Sequence, residues 1–454
     1  MNQPIDSKKF MSFFDQDYRL VKEHELRKAI FKDGIEEKYR EVAWKFLFQF
    51  YPFNSTKRER FIKRNEKLFE YALMKNRWSK IYENIINSGA KEEYYDQIPT
   101  PSIDFNVKIE INQDFYKEKQ NQSDSDFIEE SQDLNFDYLK IQTLLNISSK
   151  NIINSKLVSD IRQIDKDIER TSYFNELSNY ETEDKIKKLM DSLKNLLITF
   201  SAFNQYSSKE MGLAGKCDLG YTQGMNEIAS VFLSAFKEES VAYWCFSNYM
   251  LNDTYSNSSL TLNTEKIADS HVLKTSVAHY FSDYGINTKL KHLKFLLGVI
   301  DPELNKKLVE LKLQDMNFCH EWLLLSFKRC FNSTIAYQKC FEILSSRFIE
   351  FHHAALKNIV VRNVYSFDLF ICLSLLRQLR EKIVKNCHDE SEFYEAFSEF
   401  NKSKFFQENF EKIIHDSQEI FGKYCIISNS VIQSDNEKNG NNSKTFAKIK
   451  DLFF

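Results

Sequence analysis

The sequence predicts an all-α protein carrying an acidic insertion, and three observations carry that prediction. Only 10 Gly and 5 Pro occur in 454 residues, too few for the closely spaced turns of a β-sandwich or propeller. Apolar residues recur at helical spacing along most of the chain. No strand–helix alternation suggests a parallel sheet, and no repeat of solenoid period is present. At 42% hydrophobic and 28% charged residues, the composition is that of a chain able to bury a sizeable core.

The elements follow in order. Residues 1–13 are polar and read as a disordered lead, too polar for a signal peptide. Residues 20–85 read as helices, with Val42, Phe46, Leu47 and Phe50 on one stripe and Phe61, Leu68, Phe69 and Ala72 on another. The pattern degrades over about 86–146. Within it, 91–140 holds 13 acidic and 5 basic residues, Pro99, Pro101 and the run NQSDSD at 121–126, which reads as an acidic, disordered insertion. Helical spacing returns with Leu189, Leu193, Leu196, Leu197 and Phe200. A loop over 205–216 precedes helices at 225–235 and 240–251. Asp301-Pro302-Glu303 opens another helix with Pro at its first position. Segments 314–328, 336–349, 366–384 and 391–422 continue the helical reading. Residues 426–454 read as a largely low-complexity tail.

Several function classes are disfavoured. The net charge of −3, from 62 Lys and Arg against 65 Asp and Glu, argues against nucleic acid as the main partner. The 8 Cys include no CxxC pair, against a structural zinc site, and their irregular spacing fits buried, reduced thiols in a cytoplasmic protein. The longest apolar runs, near 228–236 and 369–376, fall short of the roughly 18 residues that span a bilayer. Gly212-Leu-Ala-Gly215-Lys216 has two residues between its glycines rather than four and is followed by Cys217, so it is no phosphate loop. His320-Glu321 is not followed by the second His of a zincin helix. His352 and His353 are adjacent and point to different faces of a helix. No GxSxG elbow is present.

Two segments remain: Ile164-Asp165-Lys166-Asp167-Ile168-Glu169-Arg170-Thr171 and Gly220-Tyr221-Thr222-Gln223-Gly224-Met225. With them the sequence resembles the TBC-domain GTPase-activating proteins of Rab GTPases, whose signatures I-x-x-D-x-x-R-T and Y-x-Q-G it matches at every defined position and in order. Arg40-Glu-Val-Ala-Trp44 fits the family's R-x-x-x-W element, and Ala242-Tyr-Trp-Cys-Phe246 resembles its aromatic helix after Y-x-Q-G. The resemblance covers roughly 14–425. It implies a domain of two helical halves, with Arg170 and Gln223 as catalytic fingers supplied in trans to a GTP-bound Rab. GTP and Mg²⁺ would belong to the Rab and no cofactor to this chain. Attachment to endomembranes would be transient and through the Rab.

The chemistry of these residue types agrees. A slow GTPase lacks positive charge on its β–γ bridging and γ oxygens and a polar group that orients the attacking water. Arginine offers a permanent charge on a planar fork of donors. A glutamine amide accepts from water while donating to phosphate. Asp167, three residues before Arg170, shares its helical face and is placed to hold the guanidinium. Gly220 and Gly224 flank Gln223 and permit close backbone approach and unusual φ. Thr171, Tyr221 and Gly224 stand as supporting or Rab-contact positions; Tyr221 either packs the loop or meets the GTPase. Arg40 and Trp44 read as structural. Two other readings stay open: a TBC scaffold that docks Rabs without accelerating hydrolysis, and a helical adaptor whose motif residues are merely structural. The adaptor predicts Arg170 and Gln223 buried; the activator predicts both exposed on one surface. The chain departs from the family at Glu321, before Trp322, where Arg is common, and at Phe341, where Trp is common.

Overall fold

The computed structural model describes residues 4–101, 137–204, 220–236, 238–251, 277–281, 283–348, 365–403 and 405–435. They divide into two compact units: the described residues within Pro4–Leu26 and Ile35–Leu251, and those within Arg27–Gly34 and from 277 onward. Among the described residues the only β pairing is two isolated bridges. No helix there is long and apolar enough to cross a membrane.

The motif-bearing unit runs α1 (Ser7–Met11), α2 (Glu23–Asp33, assigned to the other unit from Arg27 on), α3 (Glu37–Leu47), α4 (Lys57–Ser88), α5 (Asp137–Ser149), α6 (Asn154–Ile168), α7 (Ser172–Leu177), α8 (Glu183–Phe203), α9 (Met225–Phe236) and α10 (Glu239–Leu251). The 32 residues of α4 make a rod of about 48 Å at 1.5 Å per residue. It starts at a capping box, with Thr56 N–H donating to Glu59 Oε2 at 2.7 Å and Glu59 N–H to Thr56 Oγ1 at 3.3 Å, and ends at Gly89 in the left-handed region, φ 61°. Tyr71, Met74, Trp78, Ile81 and Ile85, three or four residues apart, form its buried stripe. That stripe packs on α5, α6, α8 and α10.

Polar pins set the register. Trp78 Nε1 donates to Thr199 Oγ1 at 2.9 Å and Trp244 Nε1 to the Lys67 carbonyl at 2.8 Å. Glu239, the first residue of α10, accepts from Tyr71 Oη and Lys75 Nζ, both at 2.7 Å. Trp44 is fully buried and meets Phe48, Phe232 and Phe236 edge-on; Arg40 is half-buried, its Nη2 3.5 Å from the Ile35 carbonyl.

Several boundaries differ from the expected ones. The lead is packed from Pro4 onward: Ile5 bridges Ile35, Asp6 caps α1 through Lys9 N–H at 2.8 Å, and Ile5 and Phe10 are fully buried. So short a helix carries no readable periodicity. The expected insertion, 86–146, is ordered at both ends. A 3₁₀ turn, Glu92–Gln97, docks on α6, and α5 lies against α4, where Arg77 donates to the Ile147 carbonyl and, at 2.7 Å, to that of Lys150. The acidic residues responsible for the disordered reading include one with a specific partner. Asp96 accepts Ser155 N–H at 2.8 Å and Ser155 Oγ–H at 2.7 Å, while Asn154 Nδ2 donates to the Tyr95 carbonyl at 2.9 Å. The residue at the cap position itself, Ile153, has no capping side chain, so Asp96 caps α6 from a distant point in the sequence. The rest of the expected insertion, 102–136, lies outside the described residues, as does the expected 205–216 loop.

The other unit contains a 3₁₀ turn at Val277–Phe281, α11 (Asp283–Ile300), α12 (Pro302–Glu310), α13 (His320–Leu324), α14 (Thr334–Ser345), α15 (Phe367–Asn386), α16 (Glu390–Lys402), α17 (Phe405–Glu408) and α18 (Phe410–Asp435). α15 is buried from Phe367 to Leu376 and packs along α18. A buried Lys289–Asp368 ion pair ties it to α11. Asp301 caps α12, accepting Leu304 N–H at 3.0 Å, with Pro302 at its start. The expected 314–328 helix is broken into short turns at Met316, Ser326 and Phe327, which take φ of 61°, 48° and 66°. The bends accompany burial of Phe318 and Trp322 against Phe393 and Phe397. The 391–422 segment likewise divides, and α18 runs on to Asp435, beyond the domain end expected at 425. Phe341 is fully buried, and Glu321 forms a 2.5 Å ion pair with Arg329.

Removing the distant cap has a defined consequence. Asp96→Ala is expected to cost about 0.5–2 kcal/mol, the usual loss for an N-cap carboxylate. The hydrogen bonds from Ser155 hold the Asp96 carboxyl below its ordinary range. Its contribution is therefore present above the unfolded value of about 3.9 and lost as pH falls through the depressed folded value. Urea unfolding of wild type and variant at pH 7 and in acid checks this: the difference should shrink in acid.

Candidate functional site

Both motifs lie in the same compact unit. The first occupies the end of α6 and the turn after it; the second is the turn into α9. α6 buries Leu157, Val158, Ile161, Ile164, Asp167 and Ile168 on one stripe, so the last turn carries Asp167 inward. Two residues of turn, Glu169 and Arg170, then lead to Thr171 and α7. Arg170 is exposed, its side chain at 64%, against 3% for Asp167. Its Nη2 donates to Asp167 Oδ1 at 3.1 Å and its Nε to the Lys166 carbonyl at 3.0 Å. The guanidinium is thus held at its base by a buried carboxylate and by the end of a helix, where carbonyls collect negative partial charge.

Asp167 also binds the second motif. Its Oδ2 accepts from Tyr221 Oη at 2.8 Å and from Gln163 Nε2 at 3.1 Å. Tyr221 is buried, and its phenol is pushed well above the ordinary range by that burial first and by the Asp167 carboxylate second. Tyr221 therefore packs the loop rather than presenting itself at the surface. Thr222 and Gln223 are exposed, whereas Thr171 and Gly224 are buried. Gly224 takes φ 101°, a conformation that side chains rarely adopt, so the turn delivers Gln223 outward and swings the backbone straight into α9. Arg170 and Gln223, expected as fingers, are both solvent-exposed, on segments joined through Asp167 and Tyr221. Asp167, Thr171, Tyr221 and Gly224 are buried, and Arg40 and Trp44 lie in the packing described above.

Sequence reading missed two residues in the first turn of α9. Asn226, 5% exposed, donates from Nδ2 to the Asp167 carbonyl at 3.1 Å and to Thr171 Oγ1 at 2.9 Å, and its Oδ1 accepts Gly224 N–H at 3.2 Å. One amide thus touches both motifs. Glu227 accepts Ser172 N–H at 3.1 Å and Ser172 Oγ–H at 2.6 Å, covering the first turn of α7, where Thr171 offers no capping side chain. The available signal is two polar residues opening a helix that is otherwise buried: a polar group there needs a partner. Among the described residues, no cluster of His, Cys, Asp and Glu is arranged to hold a metal.

Comparison with known proteins points the same way as the motifs. The Rab-GTPase-TBC domain family model matches residues 110–279, a span that contains both motifs. GTPase-activating protein GYP7 of Candida glabrata is 25% identical over 404 residues, covering 88% of this chain and 41% of that protein. GTPase-activating protein GYP7 of Saccharomyces cerevisiae is 23% identical over 456 residues, covering 96% of this chain and 50% of that protein. TBC1 domain family member 25 of Homo sapiens is 22% identical over 329 residues, covering 72% and 32%. The chain spans half or less of the length of these relatives.

The network makes a stability prediction separable from chemistry. Tyr221→Phe removes one donor from a buried carboxylate and should destabilise the fold by about 1–3 kcal/mol. Arg170→Ala removes a donor to the same carboxylate, but one whose side chain lies mostly in solvent, and should cost less, about 0–1 kcal/mol. Thermal and urea unfolding of both variants measure the contrast.

Proposed function

We propose, from the premise that this is a chain of the Rab-GTPase-TBC domain family, that it accelerates GTP hydrolysis by a GTP-bound Rab, supplying Arg170 and Gln223 in trans. One observation carries the reading: the two side chains of the matched motifs are exposed, while Asp167 and Tyr221, which join their segments, are buried and hydrogen-bonded to each other. An adaptor with merely structural motif residues would bury them. Arg170 would place its charge on the β–γ bridging and γ oxygens as charge develops there. The Asp167 contact fixes the guanidinium before the GTPase arrives, which lowers the ordering cost of the encounter. Gln223 would accept from the attacking water and donate to the γ-phosphate. Nucleotide and Mg²⁺ are the Rab's, and contact with endomembranes is through the Rab. The two GYP7 relatives are named GTPase-activating proteins, which supports this reading.

Arginine fingers are worth roughly 10³–10⁵ in rate. Arg170→Ala is expected to abolish stimulation in single-turnover GTP hydrolysis while the protein stays folded, and Arg170→Lys to fail as well, since a point charge does not replace the fork. Near-normal stimulation by the Ala variant refutes the role. A scaffold that docks Rabs without chemistry would instead bind a Rab and stimulate none, in wild type as in variant.

Gln223 is tested in a two-by-two comparison of wild-type and Gln223→Ala activator on a wild-type Rab and on a Rab lacking its own switch glutamine. With the water-positioning amide supplied by the activator, Gln223→Ala should cost about 10²–10³ in stimulated rate, and loss of the Rab's glutamine much less. Strong stimulation by Gln223→Ala that vanishes on the glutamine-less Rab leaves the activator reading standing and removes the second finger.

A further inference from the structure

The glutamine turn is gripped at a second point that neither motif contains. Two turns before Asp167 on α6 lies Asp160, seven residues away and so on the same face of the helix. Its side chain is 5% exposed. Three groups surround it: Lys156 Nζ pairs with Oδ1, Ser201 Oγ of α8 donates to Oδ2, and the backbone N–H of Tyr221 donates to the same Oδ2 at 3.1 Å. Tyr221 is therefore held at both ends by α6, its backbone amide on Asp160 and its phenol on Asp167. Gly220 is the residue that permits this approach. A Cβ added there would stand 2.8 Å from Asp160 Oδ2 and 2.6 Å from Lys156 Cε, closer than such contacts tolerate.

We infer that Asp160 is a positioning residue for Gln223. It fixes the backbone of the glutamine turn to the helix whose C-terminal turn carries the arginine, so that one rigid element sets the reach of both side chains. Only Thr222 separates the gripped residue, Tyr221, from Gln223, so displacement at Tyr221 moves the amide of Gln223. Geometry within a few tenths of an ångström governs catalysis by positioned groups, and small misplacements are costly in rate. This inference rests on the proposed activator function for its kinetic consequence, but not for its structural one.

Asp160→Asn keeps the size of the side chain and removes its charge, turning a donor toward either Lys156 or the Tyr221 amide. Ser201→Ala deletes the other donor to Oδ2 without touching the turn, and controls for general weakening of the α6–α8 packing. Gly220→Ala reaches the same grip from the loop side and serves if Asp160→Asn does not fold.

The first measurement is backbone hydrogen exchange in the free protein. Asp160→Asn and Gly220→Ala are expected to speed exchange at Tyr221 by about tenfold or more, with α6 and α8 unchanged and Ser201→Ala close to wild type. The second is single-turnover hydrolysis on a Rab that wild type stimulates. The saturating rate should fall about tenfold or more with little change in half-saturating activator, and the loss should not add to that of Gln223→Ala.

Unchanged exchange at Tyr221 in a folded Asp160→Asn protein overturns the inference, as does a rate loss that simply adds to that of Gln223→Ala. If wild type stimulates no Rab, the activator reading fails by itself and the exchange measurement still decides whether Asp160 holds the turn.

Discussion

Burying a carboxylate is unfavourable unless donors surround it, and the surface presented by this chain depends on how Asp167 meets that demand. Its donors come from three places: Gln163 on its own helix, Arg170 in the turn after it, and Tyr221 from a segment more than fifty residues later. Satisfying the one group therefore brings the two motifs together. It also orients them. Tyr221 spends its hydroxyl inward, so its neighbour Gln223 is left outward, and Arg170 is tethered at its base while most of its side chain stays in solvent. Asn226 repeats the arrangement with backbone groups, bonding the Asp167 carbonyl and the Gly224 amide with one side chain.

Which parts of this were legible in sequence follows from how local each cause is. Long helices were readable where apolar residues repeat every three or four positions, as along α8, where Leu193, Leu196, Leu197 and Phe200 are buried; on α4 the helix was read, but Phe61, Leu68, Phe69 and Ala72 are only half-buried and the buried stripe runs from Tyr71 to Ile85 instead. The start of α12 was readable from Asp301-Pro302, a cap and a first-turn proline in adjacent positions. The i,i+3 relation of Asp167 to Arg170 follows from helical geometry alone. What could not be read were contacts between distant segments. Asp96 looked like one more charge in an acidic stretch because its partner, Ser155, lies 59 residues away. The N-terminal Ile5 and Phe10 are too few to make a pattern, yet both are fully buried. The breaks near Met316 and Phe327 carry no Gly or Pro; tertiary packing of Phe318 and Trp322 overrides a helical pattern there. Asn226 and Glu227 sat within an apolar helix, and only their partners show why polar residues open it.

The reversal at Glu321 has a comparable explanation. The family that the sequence resembles was expected to carry Arg at this position, and an acidic residue would be awkward there beside a fixed acidic partner. Here Arg329 faces it at 2.5 Å, with both side chains about half exposed. An ion pair so accessible to solvent contributes little to stability, about 0–1 kcal/mol, so little stability depends on the sign of the charge at 321.

The placement of Asp96 and α5 bears on how this chain tolerates change in length. Both ends of the acidic stretch are fastened to the same compact unit, one by the carboxylate on α6 and the other by the Arg77 contacts to the end of α5. The cost of closing a chain between two fixed points grows only with the logarithm of its length, about 0.6 kcal/mol per doubling. Residues can therefore be gained or lost between the two anchors while the helix that carries Arg170 keeps its cap.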